Sequence, residues 1–155
     1  MAAARVRRRM TTIETQTALP LSVDGAVALA RRSATFEYVA WPILRMRGLP
    51  STLAAGEHAS ARLWLLGVVP GWRHSLRVVA DERHEIRTNE RGGFLRTWNH
   101  TLRFEPSSPT SCRYVDIVAI EAGVLTPLVA ALARLFFRYR QARWRRLAAA
   151  VSRDA

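Results

Sequence analysis

Hydrophobic and polar positions change period twice along the chain and so divide it into three zones. Residues 11–19 alternate loosely, are rich in β-branched side chains and stop at Pro20, which predicts a first strand. Ser22 then offers a helix N-cap, and Val23, Ala26, Val27 and Ala30 recur at helical spacing, so residues 23–32 are expected to be helical. A second short helix over residues 33–38 is stopped by Trp41-Pro42, because proline disfavours a helical residue before it and removes a backbone donor.

From residue 43 the period becomes two. Residues 43–47 form a brief strand closed by Gly48 and Pro50, and residues 59–69 a longer one ending in Pro70-Gly71. Residues 72–80 place Trp72, His74, Leu76 and Val78 on one face; Asp81-Glu82 turns the chain into a polar strand, 83–89. The clearest pattern follows Gly92-Gly93, a pair that permits tight backbone geometry. Phe94, Arg96, Trp98, His100, Leu102 and Phe104 share one parity, and the more polar set from Leu95 to Arg103 takes the other. Pro106-Ser107-Ser108-Pro109 makes the next turn and residues 111–121 the last strand. A hairpin centred near Ser107-Ser108 sets His100 opposite Asp116, Trp98 opposite Val118, Leu102 opposite Tyr114 and Phe104 opposite Cys112.

The third zone is a long helix. Thr126 is the expected N-cap and Pro127 the first helical residue, and Leu128, Leu132, Leu135, Phe136 and Tyr139 fall on one stripe. Continued to residue 150, the helix would be about 36 Å long. Its second half, from Arg138 to Arg146, is densely basic, which suits the C-terminal end of a helix dipole.

Charge changes this picture only at the ends. The 155 residues carry a formal net charge of +12, and all 24 cations are arginine. Four of them lie in the first nine residues and seven from Arg134 onward, leaving 13 to face 11 of the 12 acids between. The body is thus a near-neutral domain, residues 11–150, flanked by a basic flexible tail at 1–10 and a short tail at 151–155. Met10 offers an alternative start. The arginine-rich N-terminus lacks the apolar core of a secretory signal. The longest apolar run, residues 122–137, is too short to span a bilayer comfortably and contains Pro127 and Arg134. One cysteine, Cys112, excludes an intramolecular disulfide and a multi-cysteine zinc site, and a cytoplasmic location is expected. No spacing matches a zinc helix, a phosphate loop or a dinucleotide turn, so neither a metal nor a cofactor is expected.

One strand, two short helices, about six consecutive antiparallel strands and a long terminal helix form a distinctive order. With Gly93-Phe94, Trp98-x-His100, Phe104, Asp116-x-Val118 and Phe137-x-Tyr139-Arg140, it resembles bacterial ligand-binding members of the START-like, polyketide-cyclase and lipid-transport (SRPBCC) superfamily. The resemblance implies an α+β helix-grip fold: a curved antiparallel sheet of six to seven strands wrapped on the C-terminal helix, with a cavity for a small hydrophobic or lipid-like ligand between them. It departs at Leu102, where relatives often carry a second histidine, and this removes support for a metal or two-histidine role.

The expected ligand contacts are Trp41, Trp64, Trp72, His74, Arg96, Trp98, Leu102, Tyr114, Leu132 and Phe136. Arg96 would hold a carboxylate or phenolate bidentately. His100 and Asp116 admit two readings, an acid–base couple of a cyclase or dehydratase kind, or a satisfied polar pair that closes the sheet. Ligand binding without catalysis is the function expected first. The basic helix end is a solvated face or, because Tyr139 and Trp144 interleave with its arginines, a contact for an anionic membrane surface. Nucleic acid is not an expected partner, since no element that would read it accompanies the charge.

Overall fold

In the computed structural model, which describes residues 10–154, β1 (Thr11–Leu19) leads into α1 (Val23–Ala30) and α2 (Ser33–Ala40). Then come β2 (Leu44–Arg47), β3 (His58–Leu65), β4 (Val69–Glu82), β5 (Glu85–Gly92), β6 (Leu95–Ser108), β7 (Ser111–Glu121) and α3 (Thr126–Arg153). All but Met10 of the expected basic tail lies outside the described residues. The strands form one antiparallel sheet in the order β1-β7-β6-β5-β4-β3-β2, so α1 and α2 bridge its two edges. This is the helix-grip α+β architecture expected above, with seven strands.

Local signals account for most boundaries. The Ser22 hydroxyl accepts the Gly25 N–H at 3.2 Å and caps α1, and α2 ends where Trp41 turns extended before Pro42. Register shifts between Arg62 and Trp64, Val78 and Ala80, Glu90 and Gly92, and Pro106 and Ser108 bend four successive hairpins and curl the sheet towards α3.

Four expectations are corrected. Pro70-Gly71 lies inside β4, and the chain reverses instead at Leu66-Gly67-Val68, where Leu66 and Gly67 take positive φ of 51° and 72°. Between β6 and β7 the chain reverses at Pro109-Thr110, and the bulge at Pro106 takes back one residue. His100 therefore faces Val118, Leu102 faces Asp116, Trp98 faces Ile120 and Phe104 faces Tyr114. The displacement is by two, so every side chain keeps its face. Thr126 is the first helical residue rather than the cap: its hydroxyl accepts the Ala122 N–H at 2.9 Å and donates to the Gly123 carbonyl at 2.7 Å. Finally, α3 runs 28 residues, about 42 Å at ~1.5 Å per residue, and takes in part of the expected C-terminal tail.

The stripe that α3 buries also differs from the one expected. It is Ala130, Ala133, Phe137, Arg140, Gln141, Trp144 and Ala148, while Leu128, Leu132 and Leu135 are exposed. Alanines let the helix lie close on β1 and β7, and leucines at those positions would hold it off. The core consequently has three parts. Leu19, Val27, Phe104, Tyr114 and Trp144 close one end, Ile13, Val118, Ile120 and Phe137 lie under the first half of α3, and Met46, Ala61 and Leu63 form a patch on β2 and β3. No helix among the described residues is long and apolar enough to cross a membrane.

Candidate functional site

Between the second and third parts of the core the interior is open, as a cavity of about 450 Å³. That lies within the range of roughly 300–1,000 Å³ usual for small-molecule sites. Leu63, Trp72, Trp98, Phe136 and Phe137 supply apolar wall, and exposed Phe94, Leu132 and Leu135 form its rim. A smaller cavity of about 100 Å³ adjoins it and shares Phe36, Met46, Glu90, His100 and Arg140. The glycine pair shapes one wall. A Cβ on Gly92 would lie 2.6 Å from the Trp72 indole and one on Gly93 2.7 Å, so both glycines are needed for Trp72 to pack on the turn and meet Phe94 edge-on at 5.1 Å.

Polar groups line the sheet wall in a diagonal row, one from each of four adjacent strands: His74, Glu90, His100 and Asp116. The Trp72 indole N–H, which can only donate, reaches His74 Nδ1 at 3.3 Å. The ring N–H of His74 therefore sits at Nε2 and donates to Glu90 Oε2 at 2.9 Å, while Thr88 donates to Oε1 at 2.7 Å. His100 Nε2 lies 2.7 Å from Asp116 Oδ1. The Tyr114 hydroxyl donates to the same oxygen at 2.5 Å, and Gln141 of α3 donates to Oδ2 at 3.2 Å. The two-residue displacement thus leaves His100 and Asp116 in direct contact, as diagonal neighbours rather than a facing pair.

Electrostatics favours both carboxylates. Burial alone pushes Asp116 up, but the nearby Arg140 charge and the bonds from His100 and Tyr114 outweigh it and hold the carboxyl below its ordinary value. Glu90 follows the same logic: burial raises it, and the bonds from His74 and Thr88 bring it lower than usual. The Tyr114 phenol is pushed well up, first by burial and then by the Asp116 charge.

Of the expected contacts, Trp72, His74, Trp98, Leu132 and Phe136 line the larger cavity, and Leu102 lines the smaller one. His100 lines both. Tyr114 and Asp116 stand behind His100, fully buried. Three others lie elsewhere. Trp41 is exposed at the end of α2, and Trp64 packs under Arg47. Arg96 is exposed beside Glu121, 3.9 Å away, because the bulge at the start of β6 turns Leu95 inward in its place. Part of the basic helix end is engaged with the protein itself, while Arg138 and Arg146 are exposed. Trp144 is 1% exposed, the Tyr139 hydroxyl donates to the Trp41 carbonyl, and Arg143 and Arg145 donate to Tyr38 and Thr17.

The sequence gives no site role to two charged residues on the wall of both cavities, Glu90 and Arg140. Glu90 lies one residue past the expected end of the 83–89 strand, but it shares the parity of Ile86 and Thr88, both buried. Arg140 belongs to the resemblance motif and to the basic helix end, and its place three residues after Phe137 and four before Trp144 puts it on the buried stripe.

A family model described as Domain of unknown function (DUF8410) matches residues 39–149. None of the curated proteins matches the sequence. Among solved structures, a protein from Chromobacterium violaceum is similar over 88% of this chain and 96% of its own, at 13% identity and a TM-score of 0.72. A START superfamily protein from Mycobacterium smegmatis covers 90% of this chain and 98% of its own, at 11% identity and a TM-score of 0.66. The ZhuI aromatase/cyclase from Streptomyces sp. R1128 covers 94% of both chains at 12% identity and a TM-score of 0.62. At these identities the likeness is one of fold.

Proposed function

We propose that this chain, which belongs to the DUF8410 family, holds a small hydrophobic molecule between its sheet and α3 and does no chemistry on it. One observation carries the reading. A cavity of about 450 Å³, mostly apolar, lies between the sheet and α3, and its rim of Phe94, Leu132 and Leu135 is exposed. Large apolar side chains left open around a concave site are a common mark of ligand entry. The START superfamily neighbour shares the scaffold.

The test is binding of the neutral dye N-phenyl-1-naphthylamine, whose fluorescence rises on leaving water. The wild-type chain should bind it and release it to competing long-chain alcohols. Val129→Trp, which places an indole in the cavity wall beside Leu132 and Phe136, should weaken binding roughly tenfold or more by filling space. No binding by the wild type, or equal binding by the variant, would sink the proposal.

A second reading, proton transfer on a bound carbonyl compound, is favoured by one arrangement: His100 borders the cavity and is held by a carboxylate at 2.7 Å. The aromatase/cyclase neighbour shares the scaffold. The identical contact serves equally well as a satisfied pair that fixes the wall, which is why binding alone is proposed first.

A further inference from the structure

Among the described residues, one buried charge on α3 has neither a hydrogen-bond nor an ion-pair partner. Arg140 is 4% exposed, lines both cavities, and among the described residues is the only arginine on the wall of the larger one. Its guanidinium lies 4.9 Å from the centre of the Phe137 ring and 5.9 Å from that of Phe136. Among the described residues no hydrogen bond or ion pair engages it, and its Nε is fully buried without an acceptor. A guanidinium carries five donors in a rigid fork matched to a carboxylate, and isolating one from water is costly unless something accepts from it.

The carboxylates of the same wall do not meet that need. Glu90 accepts from His74 and Thr88, and Asp116 from His100, Tyr114 and Gln141, so their oxygens are already supplied by other donors. Asp116 influences Arg140 only through space. The aromatic rings supply face contacts, which attract the cation but accept none of its N–H groups in a fork. The fold has therefore placed a complete set of donors at the polar end of an apolar cavity.

From this we infer that the ligand is a hydrophobic carboxylate, its apolar body in the larger cavity and its carboxylate seated on the Arg140 fork. The inference rests on the cavity reading above and narrows it from any apolar molecule to an amphipathic anion. A fatty acid and an aromatic acid share this chemistry, and the cavity takes whichever body fits its apolar wall.

The experiment compares matched probes by calorimetry on the full chain: dodecanoate against dodecanol, and 2-naphthoate against 2-naphthol. Each acid should bind the wild type roughly ten- to hundredfold tighter than its alcohol, the gain typical of charge-assisted hydrogen bonds in a dry site. The pair with the tighter acid identifies the body as chain or ring. In Arg140→Met, which keeps length and apolar packing, the ratio of acid to alcohol should fall close to one. In Arg138→Gln, two residues earlier on the exposed face of α3, it should be retained, which separates the fork from the general positive charge of the surface. Should Arg140→Met fail to fold, nitrogen NMR of arginine Nε–H groups in the wild type decides the matter: a buried Nε–H signal should shift with dodecanoate and not with dodecanol. Equal binding of acid and alcohol by the wild type, a preference that survives in Arg140→Met, or a buried Nε–H signal indifferent to the acid would each overturn the inference. If the acids, the alcohols and N-phenyl-1-naphthylamine all fail to bind, the cavity reading itself falls; if the neutral probes bind without preference for the acids, it stands and only the carboxylate is lost.

Discussion

Asp116→Asn should lower the free energy of unfolding by about 3–5 kcal/mol, the range for removing one member of a buried charged pair. Asp116 is 1% exposed, and donors from His100, Tyr114 and Gln141 converge on it. An amide offers one acceptor oxygen and brings two N–H groups of its own into a place where donors already point. Urea denaturation at neutral pH measures the loss, and a change below about 1 kcal/mol would show that the wall does not depend on this carboxylate. The pH dependence has a definite sign. Asp116 and Glu90 are held below their ordinary values of 3.8 and 4.5 in the folded protein. As the pH falls, the unfolded chain takes up these protons first, so the stabilisation is present above the ordinary values and is lost as the pH drops towards the folded ones. The wild-type urea midpoint should therefore begin to decline near pH 4.5 and keep falling below it. Asp116→Asn should show a shallower decline, since one of the two groups is gone.

Trp144→Ala should cost a comparable amount, about 3–5 kcal/mol, for truncating a large buried aromatic. The indole packs 5.2 Å from the Tyr114 ring and 6.5 Å from Phe104, centre to centre, and ties the second half of α3 to β6 and β7. Its partner in the comparison is Leu128→Ala on the same helix, where the side chain is 58% exposed and the expected cost is under about 1 kcal/mol. Thermal and urea unfolding of the two variants together decide which stripe of α3 carries the packing. Equal costs would mean that the leucine face is covered in solution and that the alanine stripe is not the one buried.

Much of the sheet was legible because alternation is a local property. The parity of Trp72, His74 and Val78 and of Trp98, His100 and Phe104 gives the correct inner face whatever the partner strand, and β1 and β7 begin and end where turn residues say they must. The contact between His100 and Asp116 survived an incorrect register because the error was even. Arg96 failed on the same logic in reverse. One bulge near Gly92 shifts the start of β6 by a residue, and the parity rule then assigns it to the wrong side. The helix stripe failed for a different reason. Leucines outrank alanines in hydrophobicity, so the period appeared to run through Leu128, Leu132 and Leu135, but close approach to a curved sheet selects small side chains.

By itself the amino-acid sequence determined the order of elements, the cap of α1, the stop of α2 and the face that β4, β7 and most of β6 turn inward. Backbone preference and alternation act within a few residues and need no partner to be read. Only the tertiary structure decided the pairing register, the buried side of α3, and the placing of Glu90 and Arg140 against the same cavity. Those depend on bulges that displace one strand against another and on how near a helix can approach a sheet. A charge in the chain is solvated by default, and Arg140 becomes a buried donor only because the surrounding elements close over it while leaving a cavity before it.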